Sequence, residues 1–255
     1  MVCFRKPVVS HRRTGDETIR RSRMNIGIIG AGNIGGTLAQ RLTALGHTVV
    51  IANSRGPDSL HDAAAGWGAR AVTVAEAARS GDIIIITIPQ RAVLDLPNDL
   101  FAGVPEDVVV IDTGNYYPAR DGRIDTIEDG LTESAWVAEQ VGRPVVKAFN
   151  NIGAQSLLEN GRPAGTPGRI ALSVAGDRPD MRTTVLRLVD DLGFDPVDAG
   201  SLADSWRQQP GTPAYVADFD APQLRDALAA AEQDRISEYR TTANEQARAF
   251  FERSQ

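Results

Sequence analysis

The sequence is short of the residues that most often bind metals or move protons. It has one cysteine, Cys3, so no disulfide can form within the chain, and a soluble protein of the reducing cytoplasm is expected. It has three histidines, His11, His47 and His61, and none beyond residue 61. With scattered histidines, one cysteine and no HExxH pattern, no metal site is expected. No Gly-x-Ser-x-Gly elbow and no P-loop lysine is present, which argues against serine hydrolase and P-loop chemistry. Among the 27 basic residues only Lys6 and Lys147 are lysines. Apolar runs such as Ile83 to Ile86 are far too short to span a bilayer.

Charge is unevenly spread. The net charge is −6, yet residues 1–23 carry seven Arg/Lys against two Asp/Glu. The remaining body is strongly acidic, which argues against nucleic acid as a partner. The basic head lacks the apolar core of a secretory signal. It reads as a disordered extension, or as residues upstream of a true start at Met24, with an interaction arm as the alternative. The whole chain is 42% hydrophobic in an ordinary globular composition, so a packed core is expected.

From Asn25 onward, short apolar strands alternate with amphipathic helices. Strands are predicted at 25–29, 47–52, 69–72, 82–88, 107–112, 144–149, 169–175 and 194–197. Helices are predicted at 34–45, 57–65, 90–99, 132–141, 153–159 and 179–192, with a capping box at Thr73-Val-Ala-Glu76 opening another. This alternation predicts an α/β fold, a Rossmann-type doubly wound, mostly parallel sheet with helices on both faces. The domain reading is a basic extension over 1–23, a dinucleotide-binding domain over 24–205 and a C-terminal helical extension over 206–255. Leu224, Leu228 and Ala231 form one stripe of that extension, and Ile236 and Tyr239 another. It either packs back on the domain or makes a dimer contact, and a homodimer is expected.

Gly30-Ala31-Gly32-Asn33-Ile34-Gly35 directly follows the first strand and opens the first helix. That context gives a short glycine pattern its meaning. Gly30 allows the tight turn, Gly32 lets backbone approach a pyrophosphate, and Gly35 lets helix and strand pack closely. The free N–H groups and partial positive charge of the helix N-terminus face the phosphates. An NAD enzyme usually has Asp or Glu at the end of the second strand to bind the ribose 2′-hydroxyl. Here the strand ends in Asn53-Ser54-Arg55, and no carboxylate comes before Asp58. A guanidinium and a hydroxyl suit a 2′-phosphate, so NADP(H) is the expected cofactor.

In an open parallel sheet the ligand lies beyond the carboxyl ends of the strands. Thr87, Ile88 and Pro89 are therefore expected beside the nicotinamide. Asn115, Phe149 and Asn150 are expected at the same edge. Candidates for proton transfer are Lys147, Asn150, Tyr116, Tyr117 and Asp112, each of which could equally be structural. The scarcity of obvious acid and base groups suits hydride transfer between two ring carriers, where the protein mainly positions them.

The sequence resembles the NADPH-dependent coenzyme F420 reductases (F420-dependent NADP oxidoreductases), and the NADPH-binding domain of membrane ferric reductases is similar. The segments that carry the resemblance are Gly30-Ala-Gly-Asn-Ile-Gly, Asn53-Ser-Arg55, Lys147-Ala-Phe-Asn-Asn-Ile152, Val174-Ala-Gly-Asp177 and Asp198-Ala-Gly-Ser-Leu202. It covers roughly residues 24–205. It implies that Ser54 and Arg55 hold the 2′-phosphate, and that Phe149 to Ile152 form a wall for the second carrier, coenzyme F420 or a flavin. Asn150 and Gly153 depart from the archaeal members, which have histidine and proline there. Three functions follow as alternatives. The first is hydride exchange between NADP(H) and coenzyme F420 or a flavin-like acceptor. The second is NADPH-dependent reduction of a small carbonyl or imine. The third is NADP(H) binding or sensing without turnover.

Overall fold

The computed structural model describes residues 23–252. The basic head lies outside them except for Arg23. Five strands follow the expected positions: β1 (Asn25–Ile29), β2 (Thr48–Ala52), β3 (Arg70–Ala71), β4 (Ile83–Ile86) and β5 (Val109–Asp112). With β6 (Val146–Lys147) they form a six-stranded sheet in the order β3-β2-β1-β4-β5-β6, with every pairing parallel. The order in which strands are added reverses between β1 and β4, which is the switch point where open sheets bind ligands.

The helices between the first strands are α1 (Asn33–Ala44), α2 (His61–Gly66) and α3 (Val74–Ala78). Thr73 caps α3 through the predicted capping box, its hydroxyl accepting from Glu76 N–H while Glu76 accepts from Thr73 N–H at 2.9 Å. After β5 come α4 (Pro118–Asp121), α5 (Asp125–Glu128) and α6 (Glu133–Val141). The four isoleucines of β4 are fully buried, with alternate side chains on opposite faces of the sheet. One face packs Leu38, Leu42 and Val185 against Ile26, Ile28 and Ile85. The other packs Ala77, Val137 and Trp136 against Ile84, Ile86 and Val110. Burial on both faces is why the central strands read as continuous apolar runs.

The segment expected to be a helix over 90–99 is instead a 3-10 turn over Gln90–Asp95. Leu96 leaves it in an extended conformation (ψ 142°), because Pro97 disfavours helix at the residue before it. The span expected as one helix over 57–65 is a 3-10 turn (Pro57–Ser59) followed by α2. The strand expected over 144–149 stops at Lys147, and Phe149 takes a left-handed conformation with φ 62°.

After α7 (Ala154–Glu159), β7 (Ala171–Val174), α8 (Pro179–Asp191) and β8 (Asp195–Asp198), the chain has built a second small parallel sheet of β7 and β8. A single antiparallel bridge between Lys147 and Ala175 joins it to the main sheet. The C-terminal extension contains α9 (Ala221–Ala229) and α10 (Ile236–Glu252). Leu224, Ala227 and Leu228 of α9 bury against Ala171 and Val197, so this apolar stripe is covered within the chain. Helix α10 is held on α4 and α5 by polar contacts. Arg240 pairs with Glu128 at 2.6 Å, and Asn244 Oδ1 accepts from Ala119 N–H at 2.7 Å. Among the described residues no helix is long and apolar enough to cross a membrane.

Candidate functional site

The glycine turn behaves as its chemistry requires. Gly30 has φ 116°, and a Cβ there would lie 2.1 Å from the Thr87 carbonyl oxygen. A Cβ at Gly35 would lie 2.0 Å from the Gly30 carbonyl oxygen. Gly32 differs: a Cβ there meets nothing within 4 Å. Its side faces a cavity of about 700 Å³. Gly32 is also the N-cap of α1 and supplies no side-chain cap to the first turn. An open glycine at an uncapped helix start fits a dinucleotide pyrophosphate, through backbone N–H groups and the helix dipole.

Three strand ends converge on this cavity. Gly32, Asn33 and Ile34 follow β1, Thr87, Ile88 and Pro89 follow β4, and Thr113, Gly114 and Asn115 follow β5. All of these lie at the strand ends where the ligand was expected. Apart from Tyr117, the far wall comes from residues that sequence reasoning did not connect to it. Tyr117 and Arg120 of the α4 region, Gly211, Thr212 and Tyr215 of the irregular segment between β8 and α9, and Ala243, Gln246, Ala247 and Phe251 of α10 complete it. The Tyr117 and Phe251 rings meet edge to face at 5.2 Å, and the Arg120 guanidinium lies 5.4 Å from each ring centre.

Asn53, Ser54 and Arg55 leave β2 beside the glycine turn, where Gly30 N–H donates to Ala52 O at 2.9 Å. They do not line the cavity itself. The Asn53 amide shapes the loop. Its Oδ1 accepts from Arg55 N–H at 3.0 Å, and its Nδ2 donates to Ser59 Oγ at 3.0 Å. Ser54 and Arg55 are left exposed.

The wall expected from Phe149 and Asn150 is corrected by the structure. Phe149 is fully buried and Asn150 is 2% exposed, so neither faces the cavity. Asn150 works as a clamp behind the wall. Its Nδ2 donates to Asn115 Oδ1 at 3.1 Å and to Gln208 O at 2.6 Å, tying the end of β5 to the segment that carries Tyr215. Asn115 Nδ2 returns a bond to Asn150 O at 3.2 Å.

Lys147 as a proton-transfer candidate is corrected as well. It is fully buried, with Nζ 3.4 Å from Asp112 Oδ2 and 3.7 Å from Glu133 Oε2, and it donates to Gly114 O. Asp112 is occupied by Gly114 N–H at 2.9 Å and Ser134 Oγ at 2.5 Å. Burial pushes the Glu133 carboxyl up to about 7, with the Lys147 ammonium pulling the other way. The cluster thus braces the Thr113–Asn115 wall from beneath and does not line the cavity. Tyr116 is also buried, its hydroxyl bonded to Gly122 O and Glu128 Oε1, and burial raises its phenol to about 12. Of the candidates for proton transfer only Tyr117 faces the cavity.

Residues 25–116 match the model of the family described as NADP oxidoreductase, coenzyme F420-dependent. The match covers a little over a third of the chain. Hypothetical protein SMa0349 from Sinorhizobium meliloti, a solved structure, is 34% identical with a TM-score of 0.64, covering 76% of this chain and 94% of that one. A structure from Arthrobacter sp. FB24 that carries the name F420-dependent NADP-reductase has the same fold at 21% identity and a TM-score of 0.58, over 71% of this chain and 86% of that one. Metalloreductase STEAP3 of Rattus norvegicus is 27% identical over 206 residues, which are 78% of this chain and 39% of the relative. The chain spans about half or less of the length of the curated relatives it matches. The family match ends at Tyr116, so the wall built from Tyr117 onward falls outside it. Among the described residues no group of three or more His, Cys, Asp or Glu could hold a metal ion.

The missed residues had little sequence signal. Thr212 and Tyr215 sit in a short stretch of Gly, Pro and Ala that reads as a loop, and Phe251 is one of three aromatics in an otherwise largely polar helix. Only tertiary packing brings them to β4 and β5.

Proposed function

We propose that this chain is an NADPH-dependent oxidoreductase that exchanges hydride between NADP(H) and coenzyme F420 or a flavin-like acceptor. The observation that carries this reading is one cavity of about 700 Å³ shared by the glycine turn, the ends of β4 and β5, and an aromatic wall of Tyr117, Tyr215 and Phe251. Its volume is in the range that holds a drug-sized ligand, and flat aromatic rings suit a planar acceptor. When bound, NADPH supplies the hydride. Gly32 admits the pyrophosphate, and the α1 N-terminus stabilises its charge. Thr87, Ile88 and Pro89 border the nicotinamide end. Ser54 and Arg55 bind the 2′-phosphate, on a loop shaped by Asn53. Asn115, held by Asn150, keeps the wall in register for the second ring.

A second reading, reduction of a small carbonyl or imine, is favoured by the Tyr117 and Tyr215 hydroxyls that line the same cavity. The test for both is stopped-flow absorbance with NADPH or NADH against oxidised coenzyme F420, FMN, FAD, ferric chelates and a panel of small aldehydes and cyclic imines. Rapid bleaching of F420 that requires NADPH supports the first reading. Turnover of the carbonyl or imine panel alone moves the function to the second. Tight NADPH binding without transfer to any acceptor overturns both and leaves a binding or sensing protein.

A further inference from the structure

Two tyrosines from distant parts of the chain meet on the cavity wall. The Tyr117 and Tyr215 hydroxyl oxygens are 2.5 Å apart, and both side chains line the cavity. One of the two hydroxyl hydrogens lies between the oxygens. The hydroxyl that accepts this bond keeps its own hydrogen, which is free to point elsewhere. The pair therefore offers a single O–H donor, without a cation, to whatever occupies the cavity. Burial raises both phenols above their ordinary value, and the Glu133 carboxylate acts in the same direction. Arg120 opposes this, but its charge is taken up by Asp121, at 2.8 and 3.0 Å. Both tyrosines thus stay protonated at neutral pH.

The backbone is built to hold this pair. Val216, next to Tyr215, is exposed and has φ 46°, a strained conformation for a β-branched residue. At Gly211, φ is 84° and a Cβ would lie 2.1 Å from the Tyr239 carbonyl oxygen. The chain just before Gly211 is anchored by Asn150 through Gln208 O. Strain that persists at an exposed valine beside a cavity-lining tyrosine points to a position that is over-determined by its surroundings.

We propose that the Tyr117–Tyr215 hydroxyl pair hydrogen-bonds the second substrate and gives it the proton that accompanies hydride addition. The pair thereby selects acceptors whose reduced carbon is conjugated to a ring nitrogen or a carbonyl oxygen. This rests on the oxidoreductase reading above. Addition of hydride to such a carbon forms a C–H bond and moves the π pair onto nitrogen or oxygen. That atom takes one proton from the tyrosine O–H, and the tyrosine regains a proton from water. The reaction consumes NADPH, the acceptor and one proton, and yields NADP⁺ and the reduced acceptor. Coenzyme F420, carbonyls and imines meet this requirement, and a flavin, which takes hydride on its ring nitrogen N5 and the proton on N1, meets its nitrogen equivalent, whereas a ferric chelate, which takes up electrons without a proton, does not.

The experiment compares wild type with Tyr215→Phe, using oxidised F420 and FMN as probes. It has three readouts: the NADPH dissociation constant, the affinity of the NADP⁺-bound enzyme for oxidised F420, and the single-turnover rate in H₂O and D₂O. The expected result is NADPH affinity within about twofold of wild type. F420 affinity falls, the transfer rate drops on the order of a hundredfold, and the solvent isotope effect disappears. Tyr117→Phe gives the same pattern and serves if Tyr215→Phe does not fold. Unchanged rate and isotope effect in a Tyr215→Phe enzyme that still turns over would overturn the proton-donor role while leaving the oxidoreductase reading intact. A wild type that binds NADPH and reduces neither probe overturns both.

Discussion

Replacing Lys147 by methionine removes a charge and keeps most of the volume. In the folded protein the Lys147 ammonium has no exposure, and it faces Asp112 and Glu133 at 3.4 and 3.7 Å while donating to Gly114 O. The substitution leaves two buried carboxyls and one carbonyl without their donor. Breaking a buried pair from one side costs about 3–5 kcal/mol, much of it the uncompensated charge that remains. For a chain of this size that is a fall of roughly 6–20 °C in Tm. The loss depends on pH with a definite sign. Glu133 already has its carboxyl raised from 4.5 to about 7 by burial. A carboxyl raised in the folded state stabilises it fully below the unfolded value and stops doing so as pH rises through the folded value. Removing the ammonium raises it further. The penalty of Lys147→Met is therefore larger at pH 8 than at pH 5.5, where Glu133 is already neutral. Adding Glu133→Gln removes one of the stranded carboxyls, so the double variant recovers part of the loss at pH 8. Urea midpoints and thermal melts at both pH values measure this. A loss below about 1 kcal/mol at pH 8, or a double variant no better than the single, refutes the buried-cluster account.

Glu133→Gln alone should flatten the fall in wild-type stability between pH 4.5 and about 7, an effect on the order of 3 kcal/mol, and identical pH profiles of Tm would contradict it. Gly32→Val should leave the melting temperature unchanged, because a Cβ there meets nothing within 4 Å, and should abolish binding of either dinucleotide by filling the pyrophosphate space. Retained affinity in a fluorescence titration would remove the glycine turn from the site. Arg55→Ala should weaken NADPH binding by about 1.5–3 kcal/mol, some ten- to hundredfold, and leave NADH nearly untouched. Equal losses for the two cofactors would mean that Arg55 does not hold the 2′-phosphate.

The sequence determined the parts of this protein that depend on local chemistry. The glycine turn, the capped helix at Thr73 and the runs of β4 and β5 are each written in a few adjacent residues whose conformational demands are strong. From them follows the ligand edge at the ends of β1, β4 and β5, while the order of the strands was read only from the tertiary structure. Tertiary structure decided what those residues do once neighbours arrive. Lys147 read as a functional lysine because it stood alone in the sequence. In the fold it is consumed by Asp112, Glu133 and Gly114, which come from other elements. Phe149 and Asn150 lie at the expected edge, yet the left-handed turn at Phe149 sends them into the interior. Tyr215 and Phe251 carry no local signal and reach the cavity through long-range packing of the irregular segment and α10. Backbone conformation is set by residues close in sequence, whereas burial, charge pairing and the far wall of a cavity are set by residues close in space.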